Sequence, residues 1–202
     1  MLCSTCRAAL PRIAPPLCAR CGAPTAWPVS RCRECAGRRL AFAHARAALV
    51  YDPAVRALVG AWKERGLRRV AQLAAELAIE TLERPEAEAL TFIPADAERR
   101  RRRGHHPAER LARELARRWA LPVAPLLTRT VTGRRQRGLD RAERRRNVAG
   151  AFVARGAAPR TVCLVDDVYT SGATVAAAAS ALRRAGAARI VVVTLARAIR
   201  HG

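Results

Sequence analysis

The sequence has very little lysine, few acidic residues and no long apolar run. Lys63 is the only lysine among 38 basic residues, and 16 acidic residues leave a formal net charge of +22 at pH 7. A GC-rich genome explains the choice of arginine over lysine, but it does not explain the excess of positive charge. Such an excess predicts either an anionic partner, nucleic acid or a phosphorylated ligand, or a solvated basic surface.

The lack of long apolar runs bears on the compartment. Nowhere in the 202 residues do 18 consecutive apolar residues occur, and no apolar segment follows Met1. A membrane-spanning helix needs about 20 mostly apolar residues, and a signal peptide needs a shorter apolar stretch. The sequence therefore predicts a soluble, cytoplasmic protein with no membrane span. A hydrophobic content of 50% predicts one α/β domain with a small appendage.

The most specific pattern lies at residues 162–174. The apolar residues 162–165 run into two carboxylates, Asp166 and Asp167, and then into a loop of hydroxyl groups around Gly172. This pattern predicts a buried parallel strand whose carboxyl end opens onto a ligand crevice. The loop and the following helix start suit a phosphate monoester, and the carboxylates suit sugar hydroxyls or a bridging cation. The alternative is a solvated turn with a Ser/Thr helix cap.

This segment resembles the thirteen-residue signature of type I phosphoribosyltransferases. The resemblance implies that the acidic pair, Asp166 and Asp167, is catalytic and holds the ribose 2′ and 3′ hydroxyls. It also implies that the loop holds the 5′-phosphate. The implied phosphoribosyl-binding residues are Thr170, Ser171, Gly172, Ala173 and Thr174.

Six of the seven cysteines lie within residues 1–40, as three Cys-x-x-Cys pairs. Two such pairs make a tetrahedral Cys₄ zinc site, whereas disulfides, the alternative, are rare in a reducing cytosol. The loop between the first two pairs is apolar and stiffened by proline, and Gly22 suits a tight turn. We therefore predict structural Zn²⁺ on the first two pairs, with the third pair as possible further ligands. The predicted ligands are Cys3, Cys6, Cys18 and Cys21, and the possible ones are Cys32 and Cys35.

The rest of the chain alternates between strand and helix patterns. We predict strands at 47–51, 90–94, 123–127, 162–165 and 189–195. We predict helices that begin at Asp52-Pro53, at Val70, at Pro107 and at Thr174. An arginine-rich stretch, residues 128–147, is predicted to be a loop over the site. This alternation predicts an α/β fold with a mostly parallel central sheet and helices on both faces, the type I phosphoribosyltransferase fold.

The cysteine pairs and the signature together are similar to the ComF/GntX family of competence-associated proteins, over nearly the whole chain. The resemblance implies a zinc-binding domain of double zinc ribbon type at residues 1–40 and a phosphoribosyltransferase-like domain at residues 41–202. It further implies a phosphoribosyl diphosphate type of ligand bound with Mg²⁺, and a link to DNA uptake. On the pyrophosphate side it implies Lys63, in a helix similar to the family's Arg-x-Leu-Ile-x-x-x-Lys pattern, and Arg103.

Two stretches depart from the family's pattern. Asp96 follows a strand where the family commonly has Pro-Val-Pro, and its carboxylate would repel a pyrophosphate unless a metal intervenes. His105 and His106 follow Arg103-Gly104 where the family has Phe and Asn. The phosphate half of the predicted site is therefore intact, and the pyrophosphate half is altered.

Two functions remain open from the sequence. The first is a Mg²⁺-dependent phosphoribosyltransferase, in which arginines at 99–103 and 134–146 would neutralise the departing pyrophosphate; no residue identifies its acceptor. The second is a catalytically inactive module of the same fold that binds single-stranded DNA and competence proteins. The signature favours phosphoribosyl binding in both cases, and the charge and the altered pyrophosphate stretch favour the second.

Overall fold

The computed structural model describes residues 2–64, 67, 69–96, 101, 104–130 and 150–199. The helices are α1 (Ser4–Ala8), α2 (Pro53–Glu64), α3 (Val70–Thr81), α4 (Pro107–Trp119) and α5 (Ala173–Arg184). The strands are β1 (His44–Val50), β2 (Ala89–Phe92), β3 (Leu127–Arg129), β4 (Phe152–Ala154), β5 (Thr161–Tyr169) and β6 (Arg189–Arg197). Among these helices, none is both long and apolar enough to cross a membrane.

The central sheet has four parallel strands in the order β1-β6-β5-β2. Alternate residues of β5 point to opposite faces, as in any strand. Cys163 and Val165 pack in one apolar cluster with α2, α3 and α4. Val162 and Leu164 pack in a second cluster with α5. Both faces of the sheet are therefore covered by helices, and the predicted α/β architecture is confirmed.

The helix that carries Lys63 begins where the sequence predicts. Asp52 Oδ1 accepts a hydrogen bond from the backbone N–H of Val55 at 2.8 Å, and Pro53 is the first helical residue. Val55 and Trp62 are fully buried on the inner face. Lys63 follows in the last turn, which brings its ammonium group to the carboxyl end of the sheet.

The strand predicted at 123–127 is wrong. Val123 makes only an isolated bridge to Leu90, and the strand in this region is β3, which pairs antiparallel with β4 outside the central sheet. Pro122 and Pro125 flank Val123. Because proline has no backbone N–H to donate to a ladder, a continuous strand cannot form across them.

Residues 2–40 pack directly on the α/β part of the chain. Leu10 joins the cluster of α2, α3 and α4, and Cys18, Cys21 and Cys35 join the cluster of α5. The backbone at Gly22 lies so close to β1 that a Cβ atom added there would be 2.3 Å from the carbonyl oxygen of Ala45. The cysteine-rich segment and the sheet therefore share apolar cores, while the domain boundary at residue 40 stays a prediction.

Candidate functional site

A cavity of about 420 Å³ opens at the carboxyl ends of β2 and β5. Open parallel sheets place their ligands at this edge. Four residues of the predicted phosphoribosyl site line this cavity, and so does Lys63 from α2. These four residues are Asp166, Asp167, Thr170 and Thr174.

The two carboxylates differ in their surroundings. Asp167 Oδ2 lies 2.7 Å from Lys63 Nζ, whereas Asp166 Oδ1 accepts a hydrogen bond from the backbone N–H of Asp167 at 2.9 Å. Burial, and then the charge of Asp167, raise the pKa of Asp166 to about 8. This shift favours a proton on Asp166, and Lys63 balances the negative charge of Asp167. A cation or the hydroxyl groups of a diol would fit beside this pair.

The segment after β5, residues 170–174, is a sharp turn that ends in the first two residues of α5. Gly172 has φ +70°, and an added Cβ at this position would lie 2.2 Å from the hydroxyl oxygen of Tyr169. Only glycine fits both constraints. Ser171 Oγ accepts a hydrogen bond from the backbone N–H of Ala173 at 3.3 Å. The chain reversal at Gly172 thus brings the first helical turn of α5 to the part of the cavity wall that Thr170 and Thr174 line. This arrangement suits a phosphate group.

The side of the cavity that is predicted to face a pyrophosphate contains residues from both departures from the family's pattern. Asp96 and His106 line the cavity together with Lys63. His106 Nε2 lies 2.5 Å from the backbone nitrogen of Ala95, and Nδ1 lies 3.1 Å from that of Glu109. The imidazole therefore lies within hydrogen-bond distance of the backbone nitrogen of Ala95.

Several predicted residues lie outside the described part of the chain. These are Arg99, Arg100, Arg102, Arg103 and the arginines at 134–146. Arg129, just before that stretch, does line the cavity, as does Tyr51 at the end of β1. Neither residue was singled out from the sequence. Tyr51 is the last residue of the strand predicted at 47–51, and Arg129 belongs to the arginine-rich stretch predicted to lie over the site.

The structure brings together a set of cysteines that differs from the predicted one. The sulfur atoms of Cys18, Cys21, Cys32 and Cys35 all lie within 4.8 Å of one another. Closest sulfur pairs are 3.5 Å (Cys21–Cys32) and 3.6 Å (Cys18–Cys35) apart. Tetrahedral zinc with Zn–S bonds of about 2.3 Å needs sulfur atoms about 3.8 Å apart. The four thiols therefore fit a structural metal ion such as zinc.

Cys3 and Cys6, which the sequence analysis placed in the main site, are exposed and lie outside this cluster. Cys3 instead caps α1, where its sulfur accepts a hydrogen bond from the backbone N–H of Cys6. Arg7 in α1 forms ion pairs with Glu76 and Glu80 of α3. Because these ion pairs fix α1 on α3, the first cysteine pair is held apart from the other two.

The surroundings of the cluster act on its thiols in opposite directions. Burial raises the pKa of Cys21 and of Cys35. Burial also raises the pKa of Cys18, but hydrogen bonds, first among them those from the backbone N–H groups of Cys21 and Cys32, outweigh it and lower this pKa to about 6. Arg197 Nη1 donates a hydrogen bond to the carbonyl oxygen of Cys21 at 2.7 Å, and Nη2 lies 3.6 Å from the Cys21 sulfur. Such outer contacts orient metal ligands and balance their charge. Sequence analysis assigned no role to Arg197.

Comparison with known proteins gives one informative relative. No family model matches the chain, and no solved structure matches it. Competence protein F of Haemophilus influenzae is 36% identical to this chain over 142 residues. The aligned segment covers 68% of this chain and 62% of that protein. The chain thus spans less than two thirds of the length of the curated relative it matches.

Proposed function

We propose a function that rests on membership of this chain in the ComF family. The similarity of the chain to competence protein F supports this membership. The chain is a competence-associated protein with a phosphoribosyltransferase-like α/β fold. Its cavity binds a ligand of the phosphoribosyl diphosphate type with Mg²⁺, in support of DNA uptake. The observation that carries this proposal is that Asp166, Asp167, Thr170 and Thr174 line one cavity with Lys63.

Each wall of the cavity has a distinct part in binding. Thr170, Thr174 and the first turn of α5 would hold the 5′-phosphate, because hydroxyl groups and free backbone N–H groups meet there. Asp166 and Asp167 would accept hydrogen bonds from the ribose 2′ and 3′ hydroxyls. Mg²⁺ would add positive charge for a pyrophosphate group. Asp166 and Asp167 are the proposed catalytic pair if the bound ligand is also transferred to an acceptor.

Lys63 offers a direct test, because it is the only lysine in the chain. Reductive methylation with ¹³C-formaldehyde would attach ¹³C-methyl groups to the Lys63 amine. Their NMR signal would be the only one from a lysine side chain, and it would report on the contact with Asp167. We expect ribose 5-phosphate to shift this signal, and phosphoribosyl diphosphate with Mg²⁺ to shift it further, since only the diphosphate reaches the Lys63 side. If neither ligand moves the signal at millimolar concentration, the proposed function is wrong.

Substitution of Asp167 gives the first quantitative prediction. Asp167→Asn should weaken binding of ribose 5-phosphate by about tenfold or more, because a charged acceptor for a ribose hydroxyl is lost. Isothermal titration calorimetry at fixed pH and salt would measure the affinity. Glu83→Gln is the matched control, since it makes the same acid-to-amide change at an exposed position outside the cavity lining. Equal losses in the two variants would contradict the proposed ligand site.

A second candidate function, binding of single-stranded DNA, is favoured by the charge. The net charge is +22, and a groove of about 430 Å³ between residues 37–40 and α5 is lined by Arg38, Arg39 and Arg184. This groove reaches Ala173, the first residue of α5, beside the turn that is proposed to hold the 5′-phosphate. Three arginines along one groove suit a run of phosphate groups. Competence proteins would be further partners of this surface.

Salt dependence tests the second function. We expect affinity for a labelled oligonucleotide to fall by about 20-fold or more between 50 and 200 mM salt, because three phosphate contacts on a single strand give a log–log slope of about −2. Replacing Arg38, Arg39 and Arg184 together by alanine should reduce the slope of log affinity against log salt. Arg113→Ala is the control, because Arg113 already pairs with Glu109. A flat salt response, or an unchanged slope in the triple variant, would contradict DNA binding in this groove.

A further inference from the structure

Arg197, the last residue of β6, is a charged side chain that is only 1% exposed. Its guanidinium contacts Cys21 at the carbonyl oxygen and the sulfur, as described above. Nη2 also lies 2.7 Å from Glu34 Oε2, between the two cysteines of the third pair. Arg197 therefore ties the Cys₄ cluster to the carboxyl end of the central sheet.

The opposite side of the same guanidinium faces Tyr169. Its Cζ atom lies 4.5 Å from the centroid of the Tyr169 ring, a distance typical of a cation–π contact. Tyr169 is 2% exposed and is the last residue of β5, directly before the loop at residues 170–174. Its backbone oxygen accepts a hydrogen bond from the N–H of Ala198 at 2.9 Å, so the ends of β5 and β6 are joined here.

Tyr169 in turn bounds the loop. Its hydroxyl oxygen lies only 2.2 Å from the point that the Cβ of any residue other than glycine would occupy at position 172. A shift of the tyrosine ring would therefore change the space against which Gly172 packs. Continuous contacts lead from Cys21 through Arg197 and Tyr169 to Gly172.

We propose that the Cys₄ metal centre positions the phosphate loop, residues 170–174, through Arg197 and Tyr169. With a metal ion bound, the cluster of four thiolates keeps a net negative charge, which adds to that of Glu34 beside the buried guanidinium. Loss of the ion frees the Cys21 backbone and sulfur from their fixed geometry. The guanidinium then loses two of its contacts, and the tyrosine ring that it holds is released. Arg197 and Tyr169 are positioning residues; the ligand that the loop takes rests on the function proposed above.

Hydrogen exchange on the full chain tests this coupling without any ligand. We expect removal of zinc by a chelator to speed exchange of the loop amides by about tenfold or more, with a smaller change in β2, which lies at the far edge of the sheet. Arg197→Met should produce the same loop change while zinc is still bound, as measured by metal analysis. Arg189→Met is the matched control, because Arg189 lies at the exposed opposite end of the same strand.

A second variant keeps the test decisive if Arg197→Met does not fold. Tyr169→Leu removes the ring and leaves the contacts of Arg197 to Cys21 and Glu34 in place. It should retain a full complement of zinc and yet exchange faster in the loop. Cobalt substitution gives an independent readout, because loss of the Arg197 contact should shift the sulfur-to-cobalt charge-transfer band in Arg197→Met and leave it unchanged in Tyr169→Leu. Unchanged loop exchange in zinc-free protein or in Tyr169→Leu would overturn the proposal.

Ribose 5-phosphate separates this proposal from the proposed function. If the wild-type protein binds it, affinity should fall about tenfold in Tyr169→Leu, whose site residues are otherwise intact. If the wild-type protein does not bind it, the proposed function fails, and the exchange measurement alone still decides whether the metal centre holds the loop. Normal exchange together with normal binding in Tyr169→Leu would show that the loop is set by its own sequence.

Discussion

Cys35→Ser should release the metal ion and lower the stability of the whole chain, whereas replacing Cys3 and Cys6 together should leave the ion bound. Cys35 is fully buried and belongs to the same apolar cluster as Leu164 and Ile190 of the central sheet. Structural zinc in small domains contributes on the order of 10 kcal/mol of binding free energy, which is lost when a ligand is removed. Because the cluster shares its apolar core with the sheet, this loss should reach beyond residues 18–35.

The measurement is urea unfolding of zinc-loaded protein, with metal content determined on the same samples. We expect Cys35→Ser to lose at least about 3 kcal/mol of unfolding free energy and to bind less than one equivalent of zinc. The Cys3→Ser/Cys6→Ser double variant is the matched control, with one equivalent retained and a change of less than about 1 kcal/mol. Loss of zinc in the double variant would show instead that Cys3 and Cys6 are ligands, as predicted from the sequence.

The same experiment bears on the domain boundary predicted at residue 40. Separate domains would unfold in two steps, with residues 1–40 lost first and the α/β part left folded. The packing of Cys18, Cys21 and Cys35 against residues of β5, α5 and β6 favours one joint transition instead. A clear two-step curve in wild-type protein, with only the first step sensitive to a chelator, would establish the boundary.

The cysteine ligands show why part of the site could not be predicted from sequence. All three pairs have the same Cys-x-x-Cys spacing, so local pattern indicates metal binding but does not tell which two pairs meet. That choice depends on long-range contacts: Leu10 packs in the cluster of α2, α3 and α4, and Arg7 and Arg12 form ion pairs with Glu76 and Glu80 of α3. No local periodicity contains this information.

The signature segment was predictable because its information is local. An apolar strand that ends in two carboxylates and a glycine turn fixes its own geometry, and the structure places Asp166 and Asp167 at the carboxyl end of β5 as expected. Lys63 was implied by the resemblance to the family's Arg-x-Leu-Ile-x-x-x-Lys pattern, and only the start of its helix at Asp52 followed from the local sequence. Arg197 was missed because its partners, Cys21 and Glu34, are more than 160 residues away in sequence, and a buried arginine cannot be told from an exposed one by composition.

Asp166→Asn should stabilise the protein, and the gain should grow as the pH rises. The folded chain raises the pKa of Asp166 from 3.8 to about 8, through burial and then the charge of Asp167. Between these two values the folded state binds a proton that the unfolded state has lost. Unfolding free energy of the wild type therefore falls with increasing pH across this range, whereas an asparagine has no proton to lose.

The size of the gain follows from the shift. Each pKa unit corresponds to about 1.36 kcal/mol, and partial exposure and coupling to Asp167 reduce the full sum, so we expect about 2–3 kcal/mol at pH 8.5. The gain at pH 5 should be less than half of this value. Asparagine retains the Oδ1 atom that accepts from the backbone N–H of Asp167, so the loop geometry is preserved.

Urea unfolding of both proteins from pH 5 to pH 9, with zinc present throughout, would measure this difference. Because effects of pH on the metal centre occur in both proteins, they cancel when the variant is compared with the wild type at each pH. Glu83→Gln should show no such trend. Equal unfolding free energies for Asp166→Asn and wild type across the range would mean that Asp166 is ionised in the free protein. In that case the pair would carry two negative charges, and a cation would be needed at the site even before a ligand binds.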